Sequence, residues 1–428
     1  MSLLQAVLNA FRLPDLRRRL LFTFAILVIF RFLAHVPVPG VNLVQLRNLF
    51  ASSQLLGLLD LFSGGAMRNL SVATMGVYPY ITSTIIIQLL IPAIPQLKEM
   101  SQEGEAGRRR LNQIMHWLTV PLAALQGYSA LVVLSQQGIV ASPDLFGANA
   151  LNTWGSIISM VAGTIVLVWM GELITENGIG NGVSILIFGG IVANMPQILG
   201  GTLVGGGDWG GLFLFGALGL ITVAAIVVVQ EAQRRIPVQY AKRIRGTRMY
   251  GGQSTHIPLK VNSAGMIPLI FAMSIMLLPS MIAQFFMTSS VDWVASIAQF
   301  FTTVLGIKSP VYWIAYFLLV VGFTFFYTYV IFQQQNLSEN LQKYGGFIPG
   351  IRPGKPTSDY LNRVLGRITW LGAIFLGVIA VLPFFAQNIS TTLVVSSTGL
   401  LIVVGVVLDT MKQLEAQLMM RHYEGFIK

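Results

Sequence analysis

Cysteine is absent from this chain of 428 residues, and only 10% of its residues are charged. Without cysteine the chain can form no disulfide, no catalytic thiol and no thiolate-bound metal site. Histidine is rare, and its four positions lie too far apart to suggest a metal site: His35, His116, His256 and His422. Soluble domains carry roughly 25% charged residues. The composition therefore argues against a soluble protein.

Apolar residues make up 54% of the chain and collect in runs close to 20 residues long. A helical run of that length crosses the roughly 30 Å of hydrocarbon in a bilayer. We predict an all-α membrane protein with ten spans, at residues 20–36, 73–94, 114–135, 153–172, 182–200, 211–230, 264–286, 311–332, 368–387 and 391–410. Polar residues interrupt the third run, and glycine and proline interrupt the fifth. The third and fifth runs are both kept as spans because the distribution of positive charge along the chain agrees with ten spans.

Positive charge is sorted along the chain. The net charge is +11, and 23 of the 27 lysines and arginines fall on one side of the ten-span arrangement. By the positive-inside rule this side is cytoplasmic. Both termini and the loops 95–113, 231–263 and 333–367 are therefore predicted to face the cytoplasm.

The two ends of the chain and one outer segment lie outside the spans. Residues 1–19 are predicted to form a cytoplasmic amphipathic segment. They do not read as a cleaved signal peptide, because the apolar run that follows is too long and lacks a cleavage pattern. Residues 411–428 form a predicted cytoplasmic tail. Residues 287–310 can form an amphipathic helix on the outer membrane surface.

Ten spans divide into two sets of five, at residues 20–200 and 201–410. Because five is odd, two related halves would face opposite ways, which is the inverted-repeat arrangement of many transport proteins, with the pathway between the halves. Residue-level repetition is not visible in the sequence. Ten helices without internal symmetry therefore remain the alternative.

Charge is nearly missing from the middle of the spans. Arg31 is the exception, and we favour a side chain that snorkels or pairs within the bundle over one that belongs to an ion path. Ion-coupled carriers usually keep ionisable residues near the bilayer centre. An ion-coupled secondary transporter of a small solute is therefore the disfavoured alternative function.

Motifs for nucleotide chemistry are also missing. The glycine cluster at 177–182 lacks the spacing of a dinucleotide loop, and no Walker lysine motif occurs. Any ATP-driven work must then be done by a partner. We expect no enzyme activity, no catalytic site, no metal and no cofactor.

The second span carries an aliphatic face. Val77, Ile81 and Ile85 share it, and Gln88 follows one turn later. Such a face either packs against lipid or a neighbouring helix, or contributes to an apolar constriction that closes a pore by dewetting. The stretch before the span, residues 58–72, is too short and polar to cross. It is either an ordinary outer loop with a helical turn or a re-entrant element inside the protein.

Two long cytoplasmic loops combine positive charge with turn-forming residues. The first carries Arg243, Arg245 and Arg248, and the second carries Arg352 and Lys355. Prolines and glycines at 345–356 preclude a regular helix there but favour a defined loop. Basic loops beside a membrane usually serve topology and attract anionic lipids. These loops can also dock an acidic partner or RNA phosphates.

Several stretches, in order along the chain, carry a family resemblance. They are Ser63–Ala66 followed by Pro79–Ile81 and Ile85–Leu90, then Glu103–Arg109, Gly171–Glu172 with Ile174–Gly182, Gln253–Asn262 and Phe347–Gly354. Together they resemble the SecY family, the central channel subunits of the protein translocon. No segment resembles SecE or SecA, which agrees with one subunit of a complex. The loop motifs suggest a bacterial source.

The resemblance implies an hourglass channel between two inverted five-helix halves, closed by an apolar ring and a plug. Matched by motif position, the ring would be Val77, Ile81, Ile187, Ile270 and Ile402. The plug would be Asp60, Leu61, Phe62, Ser63, Gly64, Gly65, Ala66, Met67, Arg68, Asn69 and Leu70. The family often has isoleucine where this chain has Val77, so this ring would depend more on the plug.

The resemblance also implies a lateral gate between the second and third helices and the seventh and eighth. Gln88 and Asn262 match polar gate positions, although a helix-end cap is a competing role for Asn262. An interhelical polar contact of this kind contributes about 0.6 kcal/mol, so an apolar signal helix can replace it.

The implied function is a channel in the cytoplasmic membrane that passes unfolded secretory polypeptides and releases apolar segments sideways into the bilayer. The implied partners are the SecE and SecG subunits, the SecA motor ATPase, the ribosome through its RNA phosphates, polypeptides with signal sequences, and anionic lipids. Docking would involve Arg243, Arg245, Arg248 and Lys355, with Arg352 matching the family's critical loop arginine.

Overall fold

The structure is a computed structural model. It describes residues 13–38, 46, 65–136, 138–140, 143–147, 149–204, 209–240, 243–245, 248–250, 254–286, 291–306, 309–334, 337–386 and 391–424.

Helices dominate the described residues. In chain order they are α1 (Pro14–Leu33), α2 (Tyr78–Leu90), α3 (Pro95–Gln102), α4 (Glu105–Gln136), α5 (Ala150–Asn177), α6 (Gly182–Val204), α7 (Trp209–Glu231), α8 (Ile267–Phe286), α9 (Asp292–Val304), α10 (Pro310–Gln334), α11 (Leu337–Lys343), α12 (Lys355–Ala386) and α13 (Thr391–Glu424). Within the described part of the chain, all of them except α3, α9 and α11 coincide with a predicted span. Helix α9 is the amphipathic helix predicted within residues 287–310, and it packs on α8.

Length and composition alone identify only part of this set as membrane-crossing. Among the described residues, four helices are long and apolar enough, or five if α2 and α3, bent by 103°, form one span. Helix α1 carries three arginines in its first turns and Arg31 in its last. Arg31 therefore lies at the end of α1, which supports snorkelling over a role in an ion path.

Two helices extend further than the sequence predicts. Helix α12 begins at Lys355, inside the predicted 333–367 loop, and helix α13 continues into the predicted tail as far as Glu424. Pro356 explains the first difference, because proline in the first turn of a helix loses no internal hydrogen bond and has a suitable φ. The prolines and glycines therefore exclude a helix only up to Gly354.

A small sheet combines two strands from the segment between α7 and α8 with one strand from the segment between α11 and α12. It comprises β1 (Gln233–Tyr240), β4 (Ser254–Lys260) and β5 (Gly346–Phe347), with β1 antiparallel to both neighbours. A separate hairpin comprises β2 (Arg243–Arg245) and β3 (Arg248–Tyr250). In β1 alternate side chains, Ile236 and Val238, are buried, and they pack with residues of α11 and α12. The sheet is thereby attached to the start of α12.

The largest core cluster draws side chains from both halves of the chain, α1–α6 and α7–α13. Among the described residues, the halves meet most extensively along two seams. One seam is the packing of α6 on α13, and the other is the packing of α8 on α2 and α4. Residues of α2, α6, α8 and α13 all contribute to the largest apolar cluster.

Candidate functional site: an apolar centre between two halves

The five residues predicted to form the apolar ring meet in one cluster. Val77 immediately precedes α2, Ile81 lies in α2, Ile187 in α6, Ile270 in α8 and Ile402 in α13. Four of them are at least 92% buried, and Ile270 is partly buried against the same cluster. Val77 and the four isoleucines thus contribute aliphatic side chains from both halves to the largest apolar cluster. Aliphatic side chains around a narrow pore would exclude water because they offer water no hydrogen-bond partner.

Charge is kept away from this centre. Among the described residues, the buried polar side chains are hydroxyls and amides, and none is a carboxylate, lysine, arginine or histidine. The described residues also contain no group of three or more histidine, aspartate or glutamate side chains that could hold a metal ion. Among the described residues, this cluster therefore has no buried carboxylate, lysine, arginine or histidine of the kind that couples transport to an ion gradient.

The predicted plug is described from Gly65 onward, and residues 60–64 lie outside the described part of the chain. Ala66 and Leu70 are completely buried, and a single 3-10 turn, Met67–Asn69, lies between them. The segment then pairs with the end of the first outer loop through a β-bridge between Ser71 and Pro37. The described part of the segment is thus a single helical turn with buried flanks, and it is the burial that agrees with a re-entrant element.

Two glycine positions explain how this backbone fits. Gly65 has φ +83°, and a Cβ built on it would lie 2.6 Å from the Asn194 side-chain oxygen of α6. Further on, a Cβ on Gly163 of α5 would collide with the carbonyl oxygen of Val72. The segment therefore packs against α6 through the Asn194 side chain, and the main chain at Val72 approaches α5 too closely for any residue but glycine at position 163.

Gly65→Ala is expected to weaken the packing of this segment against α6 and to raise the ion conductance of the protein in the absence of a polypeptide substrate. Gly138→Ala is the matched control, since Gly138 also has positive φ (+70°) but has no atom within 4 Å of a built Cβ. Both variants carry the same left-handed strain of about 1–2 kcal/mol. If the clash with Asn194 destabilises the packed position of the segment by a further 1.4 kcal/mol, the fraction of molecules with the segment displaced rises about tenfold. Equal conductance of the two variants in planar bilayers would contradict the packing of Gly65 against α6.

The predicted gate residues do not bond to each other. Asn262 lies in the turn before α8, and its side-chain amide donates to the carbonyl oxygen of Gly265 at 3.0 Å. The side-chain oxygens of Asn262 and of Gln88 on α2 are both buried without a hydrogen bond. The local bond supports the capping role for Asn262.

A different residue crosses between the halves. The Tyr78 hydroxyl at the start of α2 donates to the main-chain carbonyl of Ser274 on α8 at 3.2 Å. The sequence offered one signal for it, namely a tyrosine hydroxyl within an apolar span and next to Val77 of the ring. That signal does not identify the acceptor, because every residue has a main-chain carbonyl and the sequence does not mark the one that accepts the bond.

The predicted docking residues lie on two elements linked to the small sheet. In the β2–β3 hairpin, Arg245 pairs in register with Arg248, and Arg243 pairs with Tyr250. Arg352 is exposed in the turn between β5 and α12, and Lys355 is exposed at the first position of α12.

The Arg352 turn has a defined shape. The hydroxyl of buried Thr357, in the first turn of α12, donates to the main-chain carbonyl of Arg352 at 2.8 Å. The main chain of the turn is therefore held to the helix, while the Arg352 side chain is exposed. Among the described residues, Arg352 forms none of the ion pairs.

Comparisons with known proteins agree with this arrangement. The SecY family model matches residues 71–411. The protein translocase subunit SecY of Streptomyces galbus is 46% identical over 441 residues, covering 100% of both chains. A solved structure of a protein-conducting channel superposes with a TM-score of 0.61 at 18% identity, covering 94% of this chain and 92% of the other.

A second solved structure, Sec61 in the canine ribosome-channel complex from the endoplasmic reticulum, has the same fold. It superposes with a TM-score of 0.60 at 18% identity and covers 94% of this chain and 92% of its own.

Proposed function

The chain belongs to the SecY family, and on this premise we propose that its five-residue apolar ring is the constriction through which polypeptides pass. The chain is a protein translocation channel subunit, and it has the ten-helix hourglass fold of the family. One observation carries the assignment of the ring: Val77, Ile81, Ile187, Ile270 and Ile402 from both halves share one apolar cluster.

The ring suits a substrate of varied sequence. Aliphatic side chains repel water at rest and offer no strong hydrogen-bond donor to hold a passing chain. A peptide threaded between the two halves would displace side chains that pack only by dispersion and burial. Passage is then independent of the sequence of the polypeptide. After the polypeptide has left, the ring closes because its aliphatic side chains are again buried against one another and away from water.

The carrier alternative has no support from the comparisons or from the buried side chains. An ion-coupled carrier usually keeps ionisable residues near the bilayer centre. Among the described residues, the buried polar groups are hydroxyls and amides, and the relatives are translocase subunits.

Site-specific photocross-linking tests the ring directly. Probes at Ile81 and Ile270 are expected to capture a secretory polypeptide arrested during export, because both side chains belong to the central cluster. A probe at Ile158 is the control, since this side chain of α5 is 61% exposed on the outside of the bundle. Capture at Ile158 but at neither ring position would overturn the assignment.

We propose that the basic hairpin and the Arg352 turn are the docking surface for the motor ATPase SecA and for the ribosome. The canine Sec61 structure was solved in a ribosome-channel complex, which supports a ribosome partner for this fold. The exposure of Arg352 and Lys355 and the like-charged pair of Arg245 and Arg248 support an anionic contact. The proposed membrane-embedded partners are the SecE and SecG subunits.

We also propose that both termini face the cytoplasm and that the chain lies in the cytoplasmic membrane. The sorting of positive charge supports this orientation, because 23 of 27 basic residues then lie inside. The sheet and the hairpin would lie on the same side, where a motor or ribosome can reach them.

A further inference from the structure

A groove on the surface of the helix bundle lies between α4 and α5, and none of the five ring residues lines it. Its volume is about 390 Å³, within the range of sites that hold small molecules. Val120 of α4 and Ile165 and Val168 of α5 form an apolar wall, and His116 and Glu172 add a polar pair. The groove is therefore mostly apolar, with its charge collected at one place.

The depth of these residues matches the parts of a lipid molecule. His116 and Glu172 lie at the cytoplasmic ends of the predicted spans 114–135 and 153–172, at the level of the lipid head groups. Ile165 lies seven residues before Glu172 on α5, which is about 10 Å deeper at 1.5 Å per helical residue. The groove therefore runs from the head-group region into the hydrocarbon.

Two tryptophans also line the groove. Trp117 of α4 is 74% exposed, and Trp169 of α5 is 59% exposed. Tryptophan is enriched at the boundary between membrane and water, where its ring contacts apolar chains and its N–H can donate to polar groups. Both exposed rings are therefore suited to contact a lipid near its head group.

The carboxylate of Glu172 is available to a cationic group. Its Oε1 atom lies 3.0 Å from Nε2 of His116, whose ring carries a positive charge only when it is protonated. Within the described part of the chain, this nitrogen has no hydrogen-bond partner at a suitable angle. The His116 ring also contacts Tyr80 of α2, with 5.5 Å between the ring centroids. Glu172 thus has a positioned neighbour but keeps acceptor capacity, and its side chain is 39% exposed.

We propose that this groove binds a phospholipid with an ethanolamine head group. Glu172 binds the primary ammonium, a cation with three N–H donors, and one acyl chain lies along Val120, Ile165 and Val168. A choline head group has no N–H to donate, and a glycerol head group has no cation to pair with the carboxylate. The site therefore selects phosphatidylethanolamine, and it is distinct from the basic loops, which attract anionic lipids.

The chain offers matched controls for both parts of this site. Glu172→Gln removes the charge and keeps the shape, and Glu176→Gln makes the same change one helical turn later, at an exposed position that does not line the groove. Val120→Trp fills the groove. Val166→Trp adds the same ring at a valine of nearly equal exposure that does not line it.

The experiment places the full chain in vesicles of equal parts phosphatidylethanolamine, phosphatidylcholine and phosphatidylglycerol with identical acyl chains. After extraction into detergent, native mass spectrometry counts the molecules of each lipid that stay bound. The wild-type protein is expected to retain phosphatidylethanolamine in preference to the other two. Glu172→Gln is expected to lower this preference about fivefold, the upper end for an exposed ion pair. Val120→Trp is expected to abolish it, and both controls are expected to match the wild type.

Three outcomes would overturn the proposal. The first is a wild-type protein that retains the three lipids equally or prefers phosphatidylglycerol. The second is an equal loss of preference in Glu172→Gln and Glu176→Gln, and the third is an unchanged preference in Val120→Trp. A loss in Val120→Trp that Val166→Trp does not share reports on the groove, since both variants carry an added surface tryptophan. None of these measurements requires translocation, so the result is independent of the proposed function.

Discussion

A protein that lacks residues 60–70 is expected to conduct ions at rest, whereas the intact protein is expected to be sealed. The described part of this segment buries Ala66 and Leu70 completely and packs against α6. Its removal leaves the ring as the only barrier. Val77 contributes one methylene less to that ring than isoleucine would, and a buried methylene contributes about 0.8 kcal/mol. The ring alone is therefore a weaker seal.

Conductance across planar bilayers, without any secretory substrate, measures this effect. Adding Val77→Ile to the deletion variant is the matched comparison, because it restores the missing methylene to the ring without restoring the plug. We expect it to reduce the leak. The plug assignment is wrong if the deletion variant stays as tight as the intact protein, and the ring assignment is weakened if Val77→Ile changes nothing.

Arg352→Glu is expected to abolish motor-driven export while leaving the channel folded. The side chain is exposed in a turn that Thr357 holds to α12, so its replacement disturbs no buried contact. Reversing the charge would convert an attraction to an anionic partner into repulsion. At an interface, such a like-charge contact costs several kcal/mol. The affinity for the partner, and with it motor-driven export, is then expected to fall by well over tenfold.

Lys343→Glu is the control for this substitution. Lys343 is also exposed, lies in the same loop at the end of α11, and undergoes the same change of charge. ATP-driven uptake of a secretory protein into vesicles is the measurement, with thermal stability of the purified variants as the test of folding. Export at the wild-type rate by Arg352→Glu would remove the proposed role, as would equal loss in both variants.

The membrane helices could be predicted from the sequence because the physical requirement is simple. About 20 apolar residues are needed to cross the hydrocarbon, and the observed helices coincide with the ten predicted runs. The start of α12 was predicted thirteen residues too late, because the prediction placed the boundary where hydropathy rises. Helix formation at Lys355 depends instead on the proline after it and on packing against the sheet.

The site could be predicted only in part. Val77 and Ile81 share a helix face, and the resemblance supplied the other ring positions. The Tyr78 bond to Ser274 could not be predicted, because it depends on where two distant helices meet. The amide of Asn262 shows the converse: its residue type indicated a polar role, but only the structure shows that it bonds to the turn beside it.

The continuity of α12 has a mechanical consequence. The helix runs for 32 residues without a break from Lys355 to Ala386, a rod of about 48 Å at 1.5 Å per residue. It packs along α10, and α10 packs along α8. The Arg352 turn is therefore connected to α8, which carries Ser274, through two helices packed side by side. If the motor docks at this turn as proposed, a displacement of the turn would be transmitted to the seam as a rigid shift of α12 and α10.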